Sequence, residues 1–382
     1  MMNKINLCDD YNCTQCYACQ SICPKRCITL KKSKDGFYIP FIDRDICVEC
    51  GACMNVCHKI TPYASFHNPI KVYACWSKRL TEREMSSSGG AFSVIARNVL
   101  DKGGIVYGAC MCEDLIVRHI AIDKIHDLYL IQGSKYVQSF LGDTYKHVTR
   151  NLTKGKLVLF SGTPCQVAGL YSFLHKKYEN LYTCDVICHG VPSQTAFDIY
   201  INKINLRGKC QNFSFRFTKG WGFQLSRQKN RTSNKRVLSP RKTYYLRAFT
   251  KGLMFCESCY SCIYAKPERV SDFTLGDFWG IGEKIPFNYP MHKGISCLLI
   301  NTEKALQLCS KLRDLILVER SLEEAVEGNY NLNHVSDRPK DRDTYFNDSQ
   351  YLSIDELSEK YKIKACVRDY LRLLKQAINS FI

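Results

Sequence analysis

The chain has 382 residues, a formal charge of +18, 45% apolar residues and 23 cysteines. Its length exceeds one ordinary domain, while its longest apolar runs, such as Leu157–Phe160 and Cys297–Ile300, are only strand-sized, which excludes a membrane-spanning helix. An odd cysteine count in so long a chain, after a start (Met1-Met2-Asn3-Lys4) with no apolar signal core, argues against a secreted disulfide scaffold and predicts a soluble cytoplasmic protein.

Two motifs dominate the first 60 or so residues. Cys13-x2-Cys16-x2-Cys19-x3-Cys23-Pro24 is followed by Cys47-x2-Cys50-x2-Cys53-x3-Cys57, each cysteine of the second set lying 34 residues after its counterpart. This duplicated unit has the spacing of a bacterial ferredoxin with two 4Fe–4S clusters. Three thiolates on a tight loop cap three irons of a cube, and the fourth comes from the other motif. Cys13, Cys16, Cys19 and Cys57 are therefore expected to hold one cluster, and Cys47, Cys50, Cys53 and Cys23 the other. Zinc is the rival, but structural zinc sites favour two separated cysteine pairs. His58 stands where the first motif has Pro24, a small departure from the pattern. Residues 1–66 are read as this α+β head. Short strands are predicted over Cys27–Leu30 and Phe37–Pro40, about a Lys31–Gly36 turn, with His67-Asn68-Pro69 as the boundary.

Ser86-Ser87-Ser88-Gly89-Gly90 then precedes an amphipathic run in which Phe92, Ile95, Val99 and Leu100 share a helical face, stopped by Gly103-Gly104. Such a helix start is either a phosphate site or an ordinary serine cap. Ile105–Ala109 reads as a strand. Gly133-Ser134-Lys135-Tyr136 reads as a loop, where a lysine is commonly a solvated surface group. Lys156–Phe160, a Ser161–Cys165 turn and helix Gln166–Leu174 are followed by strand Leu181–Ile187, a Cys188–Pro192 turn and helix Ser193–Ile204. These repeated units predict an α/β domain with a mostly parallel sheet, whose ligands sit beyond the carboxyl ends of the strands. Cys165 and Cys188 fall at that edge.

Residues 211–247 read as an antiparallel insertion with Phe213, Phe215 and Phe217 alternating and a turn at Lys219-Gly220-Trp221-Gly222. No acidic residue lies between Cys210 and Cys256, against eleven basic ones, the densest being Arg227, Lys229, Arg231, Lys235, Arg236, Arg241 and Lys242. The choice is between a solvated loop and a docking face for an acidic carrier or an anionic substrate. Cys256-x2-Cys259-x2-Cys262 adds three thiolates, and with Cys165 and Cys188 it predicts a third 4Fe–4S cluster. Three cubes, each carrying about −2 with its thiolates, would lower the net charge to about +12. In the tail, Val367, Tyr370, Leu371, Leu374 and Ile378 form a stripe expected to pack on the core.

Ser88-Gly89-Gly90, Gly133-Ser134-Lys135-Tyr136, Gly162-Thr163-Pro164-Cys165-Gln166, Cys188-His189-Gly190-Val191-Pro192-Ser193, Ser258-Cys259-Tyr260-Ser261-Cys262 and Gly276-Asp277-Phe278-Trp279-Gly280 together resemble the beta-subunit family of coenzyme F-420 hydrogenases and dehydrogenases. The likeness covers about residues 70–310, with a fused ferredoxin head. It implies a flavoprotein, with FAD or FMN beside a 4Fe–4S cluster held by Cys165, Cys188, Cys259 and Cys262. Cys256 departs from the family pattern as a spare thiol or a substitute ligand, and Cys184 is close enough in sequence to unsettle the set. Ser88, Gly89, Gly90 and Lys135 are implied near the flavin phosphates or ring, with Gly162 and Thr163 as further cofactor contacts.

The expected division is the head at 1–66, a flavin-side domain at 70–150, a third-cluster domain at 151–325 and a helical tail at 326–382. The expected activity is that of an iron–sulfur flavoprotein oxidoreductase, passing single electrons from an acidic ferredoxin-type carrier or partner redox enzyme to a small-molecule acceptor. The alternative is a non-catalytic electron-transfer subunit. No recognised nucleic-acid module is present. No residue identifies the acceptor as a deazaflavin or marks a proton donor, His189 being placed suggestively but as readily structural.

Overall fold

The computed structural model describes residues 5–216, 225–229 and 233–371. In the head, β1 (Ile28–Lys32) and β2 (Tyr38–Ile42) pair antiparallel, Ile28 opposite Ile42. Each cysteine loop runs into a short helix, Ala18–Ile22 and Ala52–Asn55. The duplication extends to the backbone. Gln15 and Tyr17 have φ of 54° and 58°, and their counterparts Glu49 and Gly51 have 50° and 75°. Such left-handed residues are costly outside glycine. They recur because a loop turning its sulfurs towards one point must reverse tightly.

The rest is built on one large sheet. Its strands are β3 (Lys71–Ser77), β4 (Ile105–Met111), β5 (Val117–Ile122), β6 (Val158–Ser161), β7 (Leu181–Val186), β11 (Phe273–Asp277), β12 (Ser296–Ile300) and β13 (Leu315–Arg320), in the order β13-β3-β12-β11-β7-β6-β4-β5. The central run β11-β7-β6-β4 is parallel, and every strand outside it joins antiparallel. The parallel core follows from the strand–turn–helix rhythm of residues 156–204, because parallel neighbours need a crossover. Along β6, Leu159 joins the core beneath helix Ala91–Asp101, while Val158 and Phe160 join the core beneath helix Pro164–Leu174. Both faces are thus covered, so central strands such as β12 read as continuous apolar runs. Segments 70–150 and 151–325, expected as successive domains, contribute strands to this same sheet.

The insertion forms a second, three-stranded antiparallel sheet of β8 (Asn212–Ser214), β9 (Ser226–Gln228) and β10 (Arg236–Val237). Phe213 and Phe215 are buried beneath it. Phe217, Arg231 and the Lys219–Gly222 turn lie outside the described residues. In the tail, helices Arg342–Tyr351 and Ile354–Lys360 bring Tyr345, Phe346 and Leu357 into the core shared with helix Gln194–Lys203. The expected stripe does not do this: Val367, Tyr370 and Leu371 are 75%, 45% and 53% exposed, and Leu374 and Ile378 lie outside the described residues. Packing instead uses the preceding segment, whose polar, irregular sequence concealed its apolar face. No helix among the described residues is long and apolar enough to cross a membrane.

The head is clamped against this body. A Cβ on Gly169, in helix Pro164–Leu174, would meet the Cys16 sulfur at 3.0 Å, so glycine there lets the first cysteine loop approach. On the hairpin side, Ser193 and Thr195 donate hydroxyl hydrogen bonds to the carbonyls of Asp35 and Gly36. Buried Arg342 reaches the Asp35 carboxylate at 2.8 Å.

Candidate functional site

The head brings its cysteines into two recesses. Cys13, Cys16, Cys19 and Cys57 line one, and Cys23, Cys47, Cys50 and Cys53 line the other, which is the interlocked grouping expected from the spacing. Neither recess has a carboxylate in its lining, and a purely soft sulfur set suits iron–sulfur clusters. Two further thiols share these recesses and were not foreseen: Cys8 in the first and Cys27 in the second.

His58, the departure from the motif, proves structural. Its ring is buried and bonds Thr14 Oγ1 at 2.8 Å through Nε2 and the Tyr264 hydroxyl at 2.7 Å through Nδ1. It therefore ties the first cysteine loop to the segment after Cys262. Burial pulls its pKa down to about 4, so the ring is neutral.

Cys165 opens helix Pro164–Leu174, Cys188 follows β7, and Cys259 ends a tight turn, Glu257–Cys259, with Cys262 three residues beyond it. Burial is the main cause raising the thiol pKa of Cys165, Cys188 and Cys262; Cys165 also feels Cys262 and Cys188, and Cys188 feels Cys262. Cys259, raised first by its hydrogen bond with Cys256, also feels Cys188 and Cys262. Cys184 is buried and lines the same cavity as Cys165 and Cys188, with Asp185 as its strongest charged neighbour. Cys256 lies between the head and this group, accepting a hydrogen bond from Gln15 Nε2 at 2.9 Å.

Beyond the carboxyl ends of the parallel strands lies a cavity of about 280 Å³. Its wall includes Cys165 and Cys188, and also Ser88, Gly90, Lys135, Gly162 and Thr163. Helix Ala91–Asp101 starts here on Gly90 (φ 89°), with no side-chain cap and no acidic residue in its first turn. Its N–H groups and dipole thus favour an anion. Gly89 is not on the wall: a Cβ there would lie 2.3 Å from the Cys75 carbonyl oxygen, so its smallness serves strand packing. Lys135 is no solvated surface group. Its ammonium donates to the Gln132 carbonyl at 2.8 Å, and burial draws its pKa down to about 8.

Two arrangements on or directly behind this wall escaped the sequence. The first starts at buried His119, on β5. Its Nε2 lies 2.9 Å from the Ser161 carbonyl and so carries the proton, leaving Nδ1 to accept from the Ser139 hydroxyl at 2.7 Å. Ser139 accepts from Gln166 Nε2, and Gln166 Oε1 accepts from the Thr163 N–H. The chain orients the turn that carries Cys165. Burial lowers the His119 pKa to about 4, below its ordinary 6.5. The unfolded chain therefore takes up this proton first as pH falls. Its contribution is complete above about pH 6.5 and is lost towards pH 4, by up to about 1.4 kcal/mol per unit. Denaturation midpoints from pH 8 to 5 should fall less steeply for His119→Gln than for the native chain, and parallel curves would contradict the assignment.

The second is Arg216, 4% exposed, which grips Asp277 through two bonds of 2.8 and 3.0 Å. It also donates to the Ser87 carbonyl at 2.9 Å and to the Tyr136 hydroxyl at 3.2 Å. Asp277 belongs to a glycine-flanked motif visible in the sequence. Arg216 lies next to Phe215 in the alternating aromatic stretch, where nothing in the pattern marks it as a partner of Asp277. His189 is also on the wall, its pKa lowered by burial. Part of the insertion's basic charge is met internally, Arg241 pairing with Asp355.

Residues 155–324 match the family described as the C terminus of the coenzyme F420 hydrogenase/dehydrogenase beta subunit, and residues 12–59 match the 4Fe-4S dicluster domain. No curated protein matches the chain. Among solved structures, a chain of the F420-reducing [NiFe] hydrogenase complex from Methanosarcina barkeri is 15% identical, with a TM-score of 0.46, over 69% of this chain and 91% of that one. Residues 12–59 thus form a 4Fe-4S dicluster domain, and residues 155–324 carry the domain described as the C terminus of the coenzyme F420 hydrogenase/dehydrogenase beta subunit.

Proposed function

We propose that the chain is an iron–sulfur flavoprotein that takes electrons from an acidic ferredoxin-type carrier and delivers them to a small-molecule acceptor in the cavity. When bound, 4Fe–4S clusters exchange single electrons and a flavin, FAD or FMN, exchanges a pair. The observation that carries this reading is the sequence of thiol groups from surface to cavity. Cys50, in the second recess, is exposed. Cys16, in the first, abuts the helix that bears Cys165. Cys165 and Cys188 in turn line the cavity.

Cys13, Cys16, Cys19 and Cys57 would hold one cluster, and Cys47, Cys50, Cys53 and Cys23 the second. Cys165, Cys188, Cys259 and Cys262 would hold a third, their mutual electrostatic coupling supporting that grouping. The uncapped start of helix Ala91–Asp101, with Ser88 and Gly90, would receive the flavin phosphates. Lys135, Gly162 and Thr163 would face the same ligand. Arg216 ties together Ser87, Tyr136 and Asp277 of the cavity wall, and apolar Leu275 and Phe249 also line it.

Anaerobic reconstitution followed by iron, sulfide and flavin analysis tests the reading. About twelve irons, three cubes of four, and one flavin per chain are expected. About eight irons without flavin would reject it.

A further inference from the structure

Each head recess holds one thiol more than a cube needs. In the second, Cys27 is 4% exposed and its sulfur lies 3.4 Å from that of Cys23, within hydrogen-bonding range. Cys27 also lines the same recess as Cys47. In the first, Cys8 lines the same recess as Cys57 and is its electrostatic neighbour. The 34-residue repeat does not generate these extra thiols: the positions equivalent to Cys8 and Cys27 are Ile42 and Thr61. Cys23 and Cys57 are moreover the crossing ligands, each contributed by one motif to the other motif's recess.

We propose that Cys27 and Cys8 are positioning residues, each donating an S–H hydrogen bond to the crossing ligand of its cluster, Cys23 and Cys57 respectively, and thereby raising that cluster's reduction potential. The inference rests on the ligand assignment proposed above. A reduced cube carries one more negative charge than an oxidised one, so a donor aimed at a ligand sulfur stabilises the reduced form more. The proton stays on the outer sulfur throughout, and no bond is made or broken. Cys27 lies against Ile28 and Ile42 in a small apolar cluster, which keeps water from replacing the donor.

The test is a spectroscopically monitored redox titration of the full-length reconstituted protein, with iron and sulfide counted on the same samples. Cys27→Ala should move one head-cluster potential to a more negative value and leave the iron count unchanged. Cys8→Ala should shift the other. Cys27→Ser, which retains a hydroxyl donor, should move the potential back towards the native value, which simple loosening of the packing would not do. Potentials unchanged in both alanine variants would overturn the proposal. Loss of about four irons in Cys27→Ala would also overturn it, by making Cys27 a ligand in place of a donor. A native protein lacking the head clusters would instead refute the ligand assignment itself, so the two failures are distinguishable.

Discussion

Replacing Arg216 by alanine is expected to destabilise the protein by about 3–5 kcal/mol, the usual result of removing one member of a buried ion pair. The Asp277 carboxylate would keep its poorly hydrated place, its side chain being only 12% exposed, while losing both of its guanidinium bonds. Ser87 and Tyr136 would lose a shared donor at the same time. Lysine should recover little, because a single ammonium cannot reproduce the two-pronged contact. Adding Asp277→Asn to Arg216→Ala should restore part of the loss, since it removes the carboxylate charge that the guanidinium balanced. Urea denaturation of the four proteins measures this, and an alanine variant within about 1 kcal/mol of the native chain would contradict the role given to the pair. If a flavin binds as proposed, its retention should fall in parallel, because the Ser87 carbonyl belongs to the loop leading into helix Ala91–Asp101.

Gly89→Ala is the second severe change expected, at more than about 3 kcal/mol. The added methyl would sit 2.3 Å from the Cys75 carbonyl oxygen and 2.8 Å from the Ser296 nitrogen. Those atoms belong to directly paired residues of β3 and β12, so neither can retreat without opening the ladder. Ser88→Ala, by contrast, removes one hydroxyl bond to the Ile295 carbonyl and should cost about 1 kcal/mol. Thermal unfolding of the two variants separates the readings. A Gly89→Ala protein that is as stable as the native chain yet binds no flavin would make Gly89 a cofactor contact after all.

These cases show which features were legible in the chain. The interlocked cysteines could be read because a cube imposes a fixed number of sulfurs on a short loop, and the loop conformation that meets the demand is local. The central strands and helices could be read because burial on both sides writes an uninterrupted apolar run, and a crossover writes a helix between two of them. Lys135 could not be placed in this way, because one loop lysine looks the same whether it meets water or a cavity. The expected tail stripe failed for a related reason: periodicity marks an apolar face without saying what is available to cover it.

The primary structure alone thus determined the metal-binding repeat, the parallel core and the order of the elements, all of which depend on neighbours within a few dozen residues. Only the tertiary structure decided which distant groups meet: His58 with Tyr264, Gln15 with Cys256, Arg216 with Asp277, and β3 between β12 and β13. The side-chain pairs are separated by 61 residues for Arg216 with Asp277 and by 241 for Gln15 with Cys256, beyond the reach of any local pattern. Such pairs form because closing the core brings buried polar groups together and leaves each needing a partner out of water.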